Sequence, residues 1–222
     1  MKRMFLLLTL NVAVLGIFCF CVFQFMERIN YNSMPSCMAN LKQIALGMAM
    51  YKEDYDDQLP PAIFPGKTVG WANGLQPYLR SYGVLQCPFE NYYQEYSLAA
   101  KLQRHLLAQA PPKHKVSQPN EAGFTDYWMN RNLSGIGFET IHYHDQIIML
   151  GDGDGSAPES TASYAINRLP VSWLKLSDSP TKRHLDGANY VFADTHVKWL
   201  KPEQVSQLPP SKKHPVYTFS IK

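Results

Sequence analysis

R-H-L-D-G-A-N-Y-V-F-A-D-T-H-V-K-W-L-K, from Arg183 to Lys201, places two apolar runs on either side of Asp194-Thr195. Tyr190, Val191 and Phe192 lead into that break and Val197, Trp199 and Leu200 lead out of it. β-branched and aromatic residues flanking a short polar turn read as a β-hairpin. Tyr190 and Phe192 then share one strand face, and Val197 and Trp199 another, as a half-buried hairpin requires. Trp199 is expected to bury against the sheet or a helix. His184, Asp186, Asp194 and His196 fall within thirteen residues of one another. A metal site here meets a geometric objection, because the extended chain from His184 to Asp194 is roughly 30 Å long and would have to fold back. The structural reading has Asp194 shaping the turn, His196 on one strand face, and His184 paired with a loop carbonyl or an acid elsewhere.

Toward the N-terminus, Leu41, Ile44, Ala45, Met48, Tyr51 and Tyr55 recur at helical spacing opposite Asn40, Lys42, Gln43, Lys52 and Glu53. This predicts an amphipathic helix, ended by Pro60-Pro61. Asn30 to Pro35 interrupts the pattern, and Pro35 suits the first turn of a new helix capped by Ser33 or Asn32. Met4 to Met26 is an uncharged run of 23 residues behind Lys2 and Arg3. That is long enough to cross the ~30 Å hydrocarbon core as a helix, with the positive flank cytoplasmic. A cleaved signal peptide is the competing reading, but its apolar region spans only about 7 to 15 residues and no A-x-A site follows here, so a retained anchor is favoured. Beyond it, about 190 residues are enough for one self-sufficient domain. Sixteen prolines and thirteen tyrosines lean toward a loop-rich extracytoplasmic domain, and a net charge of +3 gives no case for nucleic acid.

Four phrases together carry a resemblance. R-H-L-D-G-A-N-Y-V-F-A-D-T-H-V is similar to the C-terminal signature of prepilin-like proteins, a His, nine residues, then Asp-Gly, with His184, Gly187, Asn189, Asp194 and His196 at the matching positions. Cys37 to Pro61 resembles the family's C-x-x-N-L-K-Q-I start, Leu85-Gln86-Cys87-Pro88 its L-x-C-P, and Tyr127-Trp128-Met129-Asn130 its Y-x-x-N. The resemblance implies an α+β pilin-like fold, in which a membrane helix continues into a spine helix packed on a small antiparallel sheet. It implies a pseudopilin-like structural or assembly component of a type II secretion or type IV pilus-like system, in the inner membrane with its C-terminal domain periplasmic and other pilin-like or secretion-system subunits as partners. The chain then divides into a cytoplasmic start and anchor (1–29), spine helix and end loop (30–61), periplasmic α+β domain (62–201) and peripheral tail (202–222). Two departures stand out. Thr195 replaces the family's Gly, and since a β-branched residue resists positive φ the turn is expected to be wider or of another type. The acidic residue five positions into the family's mature helix is also missing: Cys21 stands there if the chain is cut after Gly16. This favours an uncleaved anchor.

Cys37 and Cys87 are the only cysteines outside the apolar run. In an oxidising periplasm they are expected to pair, the alternative being two unpaired thiols, and the resemblance favours the bond. Asp152-Gly-Asp154-Gly-Ser156 alternates oxygen ligands like the opening of a calcium loop, with Glu159 available to close it, but lacks the EF-hand spacing, so calcium is the minority reading beside a plain loop and no other cofactor is indicated. His142 and His144 would share a strand face and chelate, or simply form a polar face. Gln94 to Ala110 is a helix candidate and Gln146 to Leu150 a buried strand. With no nucleophile or nucleotide motif, an enzyme is not the expected class. The alternative to a structural component is a membrane-tethered binding module for polysaccharide or peptide, using Trp71, Tyr92, Tyr93 and Trp128. A metal-dependent hydrolase on the His/Asp cluster comes third.

Overall fold

The computed structural model describes residues 2–66, 69–88, 124–154, 161–176, 179–213 and 215–221, and within its first helix the side chains of residues 14–22 and from 35 onward. The Gln94–Ala110 helix candidate lies outside the described residues. The chain opens with α1, Lys2–Asp54, which runs without a break through Pro35. The sequence predicts a new helix capped near Ser33, and that expectation fails. A proline inside a helix removes one hydrogen bond and crowds one carbonyl, costing about 3 kcal/mol. The long helix absorbs this, and a Pro-x-x-Cys phrase looks the same whether the proline opens a helix or sits within one. α1 ends where Asp56 and Asp57 take φ of 50° and 57°, left-handed values that no helix continues through.

A five-stranded sheet follows, made of β1 (Tyr127–Asn130), β2 (Ile148–Asp152), β3 (Ala165–Ile166), β4 (Ala188–Phe192) and β5 (Val197–Leu200) in the order β3-β1-β2-β4-β5. Four strands are antiparallel neighbours, and β3 joins β1 in parallel. The sheet is therefore mixed where the resemblance implies an antiparallel one, and the class is α+β. Around the sheet lie short 3-10 turns and other small pieces, among them α2 (Trp71–Gly74), α3 (Val171–Lys175), and the two-stranded ribbon of β6 (Val205–Ser206) with β7 (Tyr217–Thr218).

The apolar stripe of α1 does what its spacing predicts. Cys37, Leu41, Ile44, Ala45, Met48 and Tyr51 are buried against Tyr127, Met129, Met149, Val191 and Ala193 of the sheet side. Tyr55, the last residue of the predicted stripe, is exposed and stacks on Tyr51 at 4.1 Å between ring centroids. A second core lies on the opposite sheet face, where Trp128, Ile148, Tyr190, Phe192 and Leu200 meet Phe219. This corrects two expectations. β4 is buried along its whole length, because α1 covers one face and the C-terminal segment the other, so the half-buried character expected of the hairpin is kept by β5 alone, where Lys198 is exposed and Val197 and Trp199 are half-buried. Residues 202–222, read from composition as peripheral, instead lay Phe219 over Trp128 with ring centroids 5.0 Å apart. Asn130 fixes them there: its Nδ2 donates to Phe219 O at 3.0 Å and Ile148 O at 2.7 Å, while its Oδ1 accepts from Asn132 N at 3.0 Å. The asparagine of Tyr127-x-x-Asn130 is thus a buried amide with its hydrogen bonds filled.

Candidate functional site

The 183–201 segment forms the expected hairpin, with Ala188 opposite Leu200 and Val191 opposite Val197. Its two polar ends do separate jobs. At the base, Leu185 and Asp186 take φ of 56° and 61°, and His184 and Gly187 exchange backbone hydrogen bonds of 2.9 and 3.3 Å. Two left-handed central residues inside such an exchange make a type I′ turn, whose usual signal is Asn-Gly or Asp-Gly at the two central positions; here those positions hold Leu185 and Asp186. The Asp186-Gly187 dipeptide lies one residue beyond that central pair, so it does not signal this turn. Gly187 is fixed sterically: a Cβ there would meet the Trp199 ring at 2.4 Å. The Trp199 indole, half-buried rather than fully buried, donates to His184 O at 2.6 Å.

The His184 side chain turns inward to a buried polar cluster. Cys37 and Cys87 form a disulfide with a Cα–Cα distance of 5.2 Å, tying the start of the buried helix face to the chain fifty residues on. His184 Nε2 lies 3.7 Å from Cys87 Sγ and 3.5 Å from Asp152 Oδ2, and neither the imidazole nor the Asp152 carboxylate is exposed. That carboxylate oxygen accepts from Asn189 N at 2.7 Å, and Asp126 Oδ2 accepts from Cys87 N at 2.7 Å. Asp152 Oδ1 and both side-chain polar atoms of Asn189 have no hydrogen-bond partner among the described residues. Proximity alone would suggest a His184–Asp152 ion pair. Burial, the largest influence, instead pushes the His184 pKa below its usual value; Asp152 pulls it up and Arg183 pushes it down. The imidazole is therefore neutral at neutral pH, since desolvation disfavours its charged form.

At the tip, Asp194 Oδ1 accepts from His196 N at 3.1 Å and contacts His196 Nδ1 at 2.6 Å, and the His196 ring stacks on Phe192 at 4.2 Å. Thr195 has φ of 70°. The expectation that a β-branched residue forces another turn is corrected here, for Thr195 takes the left-handed conformation usually reserved for glycine. Thr195 N donates to Phe192 O at 2.8 Å and Thr195 O accepts from Lys42 Nζ at 2.8 Å, which hold it in place. Beside the tip, a cavity of about 310 Å³ opens between α1 and the hairpin, lined by Met48, Lys52, Leu59, Phe138, His144 and Asp194.

His184 and Asp194 therefore sit at opposite ends of β4 and share no ligand. Asp152, the first residue of the possible calcium loop, has its carboxylate inside the buried cluster, while Asp154 N lies 3.4 Å from Tyr164 Oη. Ser156 and Glu159 lie outside the described residues. His142 and His144 fall in a loop, with Tyr143 between them at φ of 57°, and His144 stacks on Phe138 at 4.4 Å. Trp71 and Trp128 are fully buried, so neither offers a binding surface; Tyr92 and Tyr93 lie outside the described residues. Among the described residues, the group of three or more His, Cys, Asp or Glu side chains close enough to hold one ion is Cys37, Cys87 and His184. Comparison with known proteins finds no match: no family model fits the chain, and neither a curated protein nor a solved structure resembles it significantly.

Proposed function

We propose that this protein is a membrane-anchored, pseudopilin-like structural or assembly component of a type II secretion or type IV pilus-like system, with its sheet domain on the periplasmic side. The carrying observation is the division of labour along α1. One continuous helix spans Lys2–Asp54, and by helical rise that is about 80 Å. Its C-terminal part is packed into the domain core, whereas Val14, Leu15, Ile17, Phe18, Phe20 and Val22 are all exposed, from 44% to 67%. A row of bare aliphatic and aromatic side chains on a helix calls for cover, which lipid or neighbouring helices supply. Among the described residues no helix is long and apolar enough to cross a membrane; most of the Met4–Met26 run lies outside the described side chains. The run without a charge and its basic flank support the anchor, and the four matching phrases support the pilin-like assignment.

Cys19 and Cys21, exposed on this helix, supply the test. Mild oxidation of native membranes should yield dimers linked through Cys19 or Cys21, and these should vanish in a Cys19→Ser/Cys21→Ser variant. A chain that fractionates as a soluble protein, or stays monomeric under oxidation in membranes, refutes assembly through the helix. The cavity beside the hairpin tip favours a second reading, a tethered binder of small ligands. That reading predicts a membrane-bound monomer.

A further inference from the structure

We propose that the buried cluster beneath α1 is a latent zinc site, closed by the Cys37–Cys87 disulfide when oxidised and completed by Cys37, Cys87, His184 and Asp152 when reduced. The inference is independent of the assembly role proposed above. Zn²⁺ favours four ligands at tetrahedral corners, with Zn–S near 2.3 Å and Zn–N and Zn–O near 2.0 to 2.2 Å. Those lengths put neighbouring sulfur and nitrogen ligands about 3.6 Å apart and nitrogen and oxygen ligands about 3.4 Å apart. The folded protein already holds Cys87 Sγ 3.7 Å from His184 Nε2, and His184 Nε2 3.5 Å from Asp152 Oδ2. The ligand atoms of Cys37, Cys87 and His184 all lie within 4.8 Å of one another. The two sulfurs must part, to about 3.8 Å, and Asp152, which touches His184 but lies outside that mutually close group, must swing toward them.

The surroundings suit an ion as well. All four residues are at most 1% exposed, and Asp152 Oδ1 is a buried carboxylate oxygen with no hydrogen-bond partner among the described residues. Such an atom is costly to bury unless something binds it. Asn189 N–H already orients the Asp152 carboxylate at 2.7 Å, as outer-shell donors orient metal ligands. Two thiolates and a carboxylate around Zn²⁺ leave one net negative charge, and the nearby Arg183 guanidinium offsets it. The redox step balances with a dithiol reductant: it gives two electrons and two protons to the Cys37–Cys87 bond and becomes a disulfide itself. Zinc then displaces the two thiol protons to solvent.

The test uses full-length protein carrying Cys19→Ser and Cys21→Ser, so that Cys37 and Cys87 are its only thiols. It is unfolded, reduced with a dithiol and refolded without oxygen in detergent, with or without Co²⁺. The expected result is one Co²⁺ per chain, with thiolate-to-cobalt charge-transfer absorption, tetrahedral d–d bands, and displacement by Zn²⁺. His184→Ala and Asp152→Asn should each weaken Co²⁺ binding at least tenfold, and adding a small disulfide should release one metal ion for each Cys37–Cys87 bond formed. Reduced chain that refolds only when metal is present supports the site. Reduced chain that binds no Co²⁺, fails to refold with or without metal, or binds Co²⁺ equally well after His184→Ala overturns it.

Discussion

Gly187→Ala tests whether the base of the hairpin is held by steric fit. The added methyl would sit 2.4 Å from Trp199 Cε2 and Cζ2 and 2.7 Å from Nε1. Carbon atoms rest at about 3.5 to 4.0 Å, so the indole must retreat by roughly 1 Å or more. Overpacking of this kind costs about 1 to 3 kcal/mol. Retreat also breaks the 2.6 Å bond from the indole to His184 O, adding about 1 kcal/mol. A total near 2 to 4 kcal/mol follows. Gly187 is not among the residues with positive φ, so backbone conformation adds nothing to that cost. The prediction therefore sharpens in a Trp199→Ala background, where Gly187→Ala should be neutral or stabilise by up to about 1 kcal/mol through the unfolded chain. Urea midpoints of the wild type, the two single variants and the double variant, at constant m, give the coupling energy. Equal costs in both backgrounds would refute the reasoning, because the glycine would then be needed for something other than the tryptophan.

Replacing Cys37 and Cys87 by serine opens a loop of fifty residues and should cost about 4 kcal/mol by loop entropy; an unchanged melting temperature would show that the bond does not constrain the chain. His184, whose folded pKa is lowered mainly by burial from 6.5, binds its proton more readily in the unfolded chain, so its contribution is present above about pH 6.5 and lost as pH falls below it. Urea titrations across that range should show this loss in the wild type and a flatter profile in His184→Gln. Thr195→Gly should stabilise by about 0.5 to 1 kcal/mol, the relief of a left-handed β-branched residue less the entropy of glycine, as read from the denaturant midpoint. Asp194→Ala removes the 3.1 Å bond from His196 N and should cost about 1 kcal/mol, its exposed contact with the imidazole contributing little.

The helix stripe was legible because Leu41, Ile44, Ala45 and Met48 obey one period and face one surface. The hairpin was legible because its two strands are adjacent in sequence. Cysteine arithmetic and the family resemblance together pointed to the disulfide. What escaped was non-local. Asp152 reaches His184 only because β2 pairs with β4, bringing Gly151 opposite Tyr190, and no local pattern announces a pairing between strands about forty residues apart. The glycines flanking Asp152 point instead to a loop, and they are the loudest local signal there. The burial of Phe219 also depends on a partner far upstream, Asn130. Thr195 escaped for another reason: propensity disfavours its conformation, but hydrogen bonds to Phe192 and from Lys42 outweigh a preference worth only about 1 to 2 kcal/mol.

The nine-residue interval between His184 and Asp194 is what this architecture occupies. It comprises Leu185, Asp186 and Gly187 of the base turn, the five residues of β4, and Ala193. Both of its ends are anchored to α1. His184 meets the disulfide that begins at Cys37, and the tip receives Lys42 through Thr195 O. Between these anchors the strand has no slack, because it is central and buried on both faces. Inserting one residue into β4 would exchange its faces, sending Val191 away from the α1 core and Tyr190 and Phe192 out of the cluster around Phe219. Deleting one would pull either His184 from Asp152 or Asp194 from the tip. A fixed count between the histidine and the aspartate therefore arises without any ligand shared by the two, from a buried strand pinned at each end to one helix.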